Sequence, residues 1–386
     1  MDISLQVLES LKHCPPDTIF LAAVSGGADS MAMLTALCEI PELRLYVLHV
    51  EHGLRPAQES QGDADFVRVF CKERGIKCFI KNIPPGKVAD LAQRKKIGIE
   101  AAARFYRFKA LYICAARLTA QVKSNIRILI AHTKDDALEL SLMRILRGSG
   151  PAGLAIMPSE TGDILRPLIS VTREEVITYL KTKGIPWRED ATNADDIFLR
   201  NRIRNRLIPL LNETFPSWKS GITAMAQTQS LTAKFITEEA KTRIKWETQP
   251  SEKGDPRLPN SSVAGKPVFF TDADNFFSQP LIIREEAIFL TIDELLTKNS
   301  RTVKRAVVRK FCEGVVTAAD LGRVRVRRDG EKVIVSCRRK EFFEKGVSLL
   351  LNHRVHKIFL NLCVLCGLHS RICISIIYQS LPVKDL

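Results

Sequence analysis

Residues 19–34 read IFLAAVSGGADSMAML. Thr18–Val24 is apolar from its second residue on, the pattern of a strand buried on both faces. Met31, Met33 and Leu34 resume the apolar pattern at helical spacing. Between strand and helix lies Ser25-Gly26-Gly27-Ala28-Asp29-Ser30. A helix N-terminus offers unpaired backbone N–H groups and the positive end of the dipole, so it attracts phosphate. Gly26 and Gly27 let the backbone approach an anion closely, and Ser25 and Ser30 add hydroxyl donors. Asp29 is the odd member, because a carboxylate repels phosphate. It either caps the helix or acts through a metal ion or a cationic substrate. The stretch does not fit G-x-x-x-x-G-K-[ST], which excludes an ordinary P-loop.

Working outward, further strand patterns fall at Leu43–His49, Ile76–Lys81 and Ile126–Ala131, with helical patterns at Asp29–Glu39, Glu59–Arg74 and Ile99–Arg117. Strand–helix alternation implies a doubly wound α/β fold with a parallel sheet, whose ligands bind beyond the strands' carboxyl ends. Chemistry-bearing residues do follow the strands: His49 to Arg55 after the second, His132 to Glu139 after the fourth, and Glu100 and Arg104 on the third helix. Each has a structural alternative. His49 and His52 can be hydrogen-bonded loop residues, Glu100 and Arg104 an i,i+4 ion pair, and Asp135, Asp136 and Glu139 acids that favour a helix N-terminus. Arg200, Arg202 and Arg204 can be a solvated basic face.

The 386 residues carry a formal charge of +15, which favours a polyanionic partner such as nucleic acid. Ten cysteines show no framework spacing, and several sit in apolar runs as reduced core cysteines do. The N-terminus lacks the basic and apolar regions of a secretion signal, and IFLNLCVLCGL is too short to span a membrane. A cytoplasmic protein is expected. Beyond residue 215 the pattern changes. A helical stretch at Leu231–Ile244 precedes a Pro/Gly/Ser-rich loop at Gln249–Pro267, a basic helix around Lys304–Lys310 and a hairpin signal at Asp329-Gly330. The expected organisation is a catalytic domain over 1–215, a basic α+β region over 216–345 and a tail of unassigned role over 346–386. The tail holds Cys363-x-x-Cys366-x-x-His369-x-x-x-Cys373, whose spacing lacks two separated ligand pairs, so no structural metal is expected.

The string SGGxDS after a first strand resembles the loop of the N-type ATP pyrophosphatases. Adding His49-Val50-Glu51-His52-Gly53-Leu54-Arg55, Glu100–Tyr106, Ala131–Glu139, Leu146–Gly150, Arg166-Pro167-Leu168, Asp190–Asn193 and Arg200–Arg204, in this order, the chain resembles the tRNA(Ile)-lysidine synthetase family over about residues 18–215. The resemblance implies ATP and Mg²⁺ as cofactors. It implies free lysine and an isoleucine tRNA with a CAU anticodon as partners, no membrane, and a homodimer as a possible assembly. It assigns catalysis to Asp29, Arg104, His132, Asp136 and Glu139, and ATP binding to Ser25, Gly26, Gly27, Ala28, Asp29 and Ser30. His52, Arg55, Arg200, Arg202 and Arg204 would contact tRNA.

The chain departs from the family pattern at Ala137 and Leu140, where Gln and Thr are usual, and at Glu51 for Asn and Thr192 for Ser. No candidate catalytic group is lost. Two rival chemistries share the loop. A tRNA thiolase usually needs cysteines near the ATP site, whereas Cys38, Cys71 and Cys114 fall in helices. A small-molecule amide-forming synthetase would account for SGGADS but not for the arginine run or the excess charge.

Overall fold

The computed structural model describes residues 2–54, 57–122, 124–189, 199–250, 267–296 and 303–337. The chain divides into two compact units, Met1–Ser230 and Leu231–Leu386.

The first unit runs α1 (Ile3–Leu11), β1 (Ile19–Ala23), α2 (Ala28–Cys38), β2 (Leu45–Glu51), α3 (Ala57–Glu73), β3 (Lys77–Asn82), α4 (Lys87–Lys95), α5 (Ile99–Val122), β4 (Ile126–Ile130) and α6 (Lys134–Leu146). There follow α7 (Pro151–Leu154), β5 (Glu160–Thr161), β6 (Ile164–Leu165), α8 (Arg173–Thr182), α9 (Leu199–Arg202), a π-turn over Ile203–Leu207, α10 (Ile208–Thr214) and the start of α11 (Trp218–Arg243), whose residues beyond 230 belong to the second unit. The sheet order is β3-β2-β1-β4-β6-β5. All pairings are parallel except β5 with β6. The chain winds from β1 outward through β2 to β3, then returns to place β4 on the other side of β1. The carboxyl ends of β1 and β4 therefore flank the switch point where such sheets bind ligands.

The core explains why β1 sits centrally. Ile19, Phe20, Leu21 and Ala22 are all buried, as the unbroken apolar run requires. Each large side chain contributes about 1.5–3 kcal/mol by burial. On one face, Phe20 and Ala22 pack with Met31, Met33 and Leu37 of α2, Val7 of α1 and Val176 and Leu180 of α8. On the other, α5 packs against β1, β2 and β4 and buries Phe105, Phe108 and Leu111. Helices on both faces satisfy a sheet with no polar side, so the doubly wound reading holds.

The second unit is antiparallel, with sheet order β7-β8-β11-β10-β9. These strands are β7 (Glu247–Pro250), β8 (Pro267–Asp272), β9 (Ala318–Leu321), β10 (Val324–Asp329) and β11 (Lys332–Cys337). The hairpin expected at Asp329-Gly330 forms one residue later: Asp329 pairs with Lys332, and Gly330 takes φ +58° in the turn. Three helices, α12 (Ala273–Ser278), α13 (Leu281–Leu295) and α14 (Arg305–Cys312), contribute Phe276, Ile288 and Phe311 to a separate core. The expected basic helix is α14, but its charge is partly committed. Arg305 and Arg309 lie on the buried carboxylate of Glu285 at 3.2 and 2.6 Å. Arg55, Asp190–Asn193, most of the expected loop at Gln249–Pro267 and the Cys363–Cys373 pattern lie outside the described residues.

Candidate active site

Local chemistry shapes the loop after β1. Gly26 has φ +92°, a conformation that glycine adopts without strain. Ser30, one turn into α2, turns its hydroxyl back on the loop. It donates to Gly27 O at 2.8 Å and accepts from the Ser25 and Gly26 amides at 3.2 Å each. Ser25 is exposed, while Ala28 and Ser30 are buried beneath it. The loop is braced from below by residues that local sequence does not mark. The Arg188 amide donates to Gly26 O at 2.9 Å, and Arg188 Nε donates to Asp63 Oδ1 at 3.0 Å.

Asp29 does not cap α2; the N-cap is Gly27, which has no side chain to do so. Its carboxylate meets Arg173 Nη1 at 2.6 Å, from the first turn of α8. Burial raises the proton affinity of Asp29 above the ordinary carboxylate range against the pull of Arg173, and the charge on Asp136 adds to the rise. These two acids thus sense each other across the crevice between β1 and β4.

On the β4 side, Thr133 and Asp136 form a capping box that opens α6. Thr133 N donates to Asp136 Oδ2 at 2.9 Å, leaving Oδ1 for Arg200. Glu139, one turn further and 1% exposed, accepts from Arg200 Nε at 2.7 Å and Arg204 Nε at 2.6 Å. Arg204 also lies 3.7 Å from Asp136, and Arg200 lies 4.0 Å from Glu100. Burial disfavours the Arg200 cation, yet Asp136 and Glu139 raise its pKa above the usual arginine range. One structural alternative is therefore realised alongside the clustering, and another is not. Asp136 does serve a helix N-terminus, and Arg200 and Arg204 are not simply a solvated face.

Between these groups sits His132, two residues beyond β4. Arg166 Nε donates to its Nδ1 at 3.3 Å, which places the ring proton on Nε2. Burial holds the imidazole well below its usual pKa, and Arg104, Arg107, Arg166 and Arg200 push in the same direction. Arg104 lies over the Phe108 ring at 4.7 Å. Asp29, Arg104, His132, Asp136, Glu139, Arg200 and Arg204 are thus brought to one end of the sheet. His52 is half-buried in the loop after β2, and Arg202 is exposed on α9. His49 takes the structural alternative, with Nδ1 2.9 Å from Val24 O in the interior. Arg173, Arg188 and Asp63 were not among the expected residues. Nothing in their neighbourhood in sequence marks them, because their partners are 125 and 144 residues away.

A parallel α/β sheet whose first strand enters a serine–glycine loop, with carboxylates and guanidinium groups gathered at its switch point, defines a PP-loop domain. The PP-loop domain family model matches residues 2–211, more than half of the chain, and the chain belongs to that family. Over 205 residues it is 44% identical to the tRNA(Ile)-lysidine synthase of Treponema denticola, a match covering 52% of this chain and 43% of that protein. The lysidine synthases of Solibacter usitatus and Thermus thermophilus are 41% and 36% identical over 219 and 244 residues, or 56% and 63% of this chain and 44% and 45% of theirs. The matched part thus spans less than half the length of these relatives. No helix among the described residues is long and apolar enough to cross a membrane.

Proposed function

We propose that the chain ligates free lysine to the first anticodon cytidine of the CAU-bearing isoleucine tRNA, using ATP. The observation that carries this reading is the convergence of Asp29, Arg104, His132, Asp136 and Glu139 beyond the Ser25–Ser30 loop, in a chain 44% identical over its first half to a protein of that name. The loop amides and the Ser25 and Ser30 hydroxyls hold the ATP phosphates. The cytosine carbonyl oxygen attacks the α-phosphorus and pyrophosphate leaves. The lysine side-chain amine then displaces AMP from the base. Arg104 offsets the charge that develops in these steps, with His132 as a neutral donor beside it. Asp29, whose proton affinity is raised, accepts the ammonium proton.

Asp136 and Glu139 form the ammonium site. Without lysine it is filled by guanidinium groups, and Arg204, with 44% of its side chain exposed against 28% for Arg200, is the one that gives way. Arg200, Arg202 and Arg204, with His52 and Arg55, supply charge for tRNA phosphate contacts. We assign catalysis to residues 1–215 and further tRNA contacts to 216–345. Mg²⁺ arrives with ATP. Among the described residues no group of three or more His, Cys, Asp and Glu side chains forms a metal cage, so the ATP phosphates themselves would hold the ion. AMP formation by the purified chain tests the reading. It should require the CAU isoleucine transcript and lysine together, and AMP release with lysine alone would sink it.

A further inference from the structure

Arg107 and Arg166 have no part in the chemistry just described, yet Arg166 is buried and Arg107 half-buried next to it. Arg166 follows β6 directly, and β6 pairs in parallel with β4, so this arginine is level with the end of β4 that leads to His132. It is 6% exposed. Its Nη1 donates to Pro158 O and Thr161 Oγ1, both at 3.0 Å, and its Nε to His132. All of these acceptors are neutral. Arg107 is three residues from Arg104 on α5, the spacing that puts both on one helix face. Its Nε is buried, with no hydrogen-bond partner among the described residues. Burial, with Arg104 and Arg200 nearby, lowers its pKa to about 10, and Glu100 and Asp136 only partly oppose the fall. Burial and Arg104 lower that of Arg166 too.

A buried guanidinium with only neutral acceptors, as at Arg166, is expensive by several kcal/mol before compensation, and the unpaired buried Nε–H of Arg107 adds to the cost. Arg166 and Arg107, both close to the uncharged His132 imidazole, form a region of positive potential. The carboxylates that balance the rest of the crevice are taken by Arg200, Arg204 and Arg173. An anion completes the arrangement. Guanidinium forks match the oxygens of a phosphate, and the His132 Nε2–H adds a neutral donor.

We propose that Arg107 and Arg166, with His132, form a phosphate pocket at the carboxyl end of β4, separate from the serine–glycine loop at the end of β1. The pocket itself rests on this geometry. That its phosphate comes from a substrate of the reaction, either the tRNA backbone or the α-phosphate of ATP, rests on the proposed function.

The test uses the full chain carrying ¹³C-labelled histidine. The chain has seven histidines, and the His132 ring signal is assigned by its loss in His132→Gln. Inorganic phosphate is titrated against sodium chloride of equal ionic strength. The expected result is a saturable shift of the His132 signal and a midpoint of protonation raised by about one pH unit or more, roughly tenfold in proton affinity. Arg107→Gln should weaken phosphate about tenfold, and Arg107→Lys, which keeps charge without the fork, should fall between. Competition by the trinucleotide CAU identifies the RNA backbone as the source, and competition by AMP identifies the nucleotide. A phosphate response no larger than that of chloride, or equal binding by Arg107→Gln, overturns the pocket. Competition by neither ligand while lysine transfer proceeds overturns the assignment of its phosphate to a substrate and leaves the ligase reading standing.

Discussion

Glu139→Gln is the sharpest perturbation of the site, since it removes one charge and no volume. Glu139 is 1% exposed and accepts from Arg200 Nε at 2.7 Å and Arg204 Nε at 2.6 Å. Each such bond to a charged group contributes roughly 1.5–3 kcal/mol. The amide keeps one acceptor oxygen and turns its NH₂ toward a guanidinium N–H, so one bond is lost and the other weakened. Arg200 keeps Asp136, and the arginines are 28% and 44% exposed, so water recovers part of the loss. The net destabilisation should be about 2 kcal/mol. Urea unfolding measures it. Trp218, packed with Leu138, Leu142 and Ile203 beside the site, reports on the first unit once Trp246→Phe removes the signal of the second. A double-mutant cycle with Arg204→Gln should give a coupling of about 1 kcal/mol. A change below about 0.5 kcal/mol in Glu139→Gln, with no coupling, would refute the claim that this carboxylate holds both arginines.

Three further outcomes follow from the same contacts. Arg204→Gln releases one oxygen of Glu139 while Arg200 keeps the other, so the KM for lysine should fall roughly threefold to tenfold, the equivalent of about 0.7–1.4 kcal/mol; a rise in KM would mean that Arg204 positions Glu139 instead of competing for it. Gly26→Ala should cost about 1–2 kcal/mol through its positive φ alone, because the new Cβ meets Val67 and Phe66 at an ordinary 3.5–3.6 Å. Gly53→Ala, whose Cβ would lie 2.6 Å from Ile83 O, should cost more, and urea titration of the two variants checks the order. His132 resists protonation in the folded state, so its stabilising contribution is complete above the unfolded value of 6.5 and declines as pH falls toward its lower folded midpoint. The decline is limited to about 1.4 kcal/mol per pH unit. Stability measured at two pH values below 6.5 should fall more steeply in the native chain than in His132→Asn, and parallel slopes would contradict the assignment.

The parts legible in the sequence are those decided by neighbours in the chain. Thr18–Val24 reads as a buried strand because every residue after the first is apolar, and the loop after it reads from its glycines and serines. The hairpin around Gly330 shows for the same reason. The crevice is different. Asp136 and Glu139 stand out as acids near a helix start, but Arg200 lies 64 and 61 residues from them, and no local pattern joins these groups. The same holds for Arg173 over Asp29 and for Arg188 beneath Gly26. The start of α11 was hidden by local chemistry. The helical pattern read at Leu231–Ile244 covers only its second half, whereas the helix begins at Trp218, which is 9% exposed and packs against Leu138 and Leu142. Tertiary burial outweighs weak propensity there. The charge of α14 was legible, but its commitment to Glu285 was not, because that partner lies on α13.

Transfer of radiolabelled lysine tests the central claim most directly. The purified chain, ATP and Mg²⁺ are incubated with the CAU isoleucine transcript, its C-to-U anticodon variant and the methionine tRNA that shares the anticodon. The account predicts label on the first transcript alone, with AMP released. Tight tRNA binding and ATP–pyrophosphate exchange without label would contradict it, leaving an adenylating enzyme that uses another nucleophile.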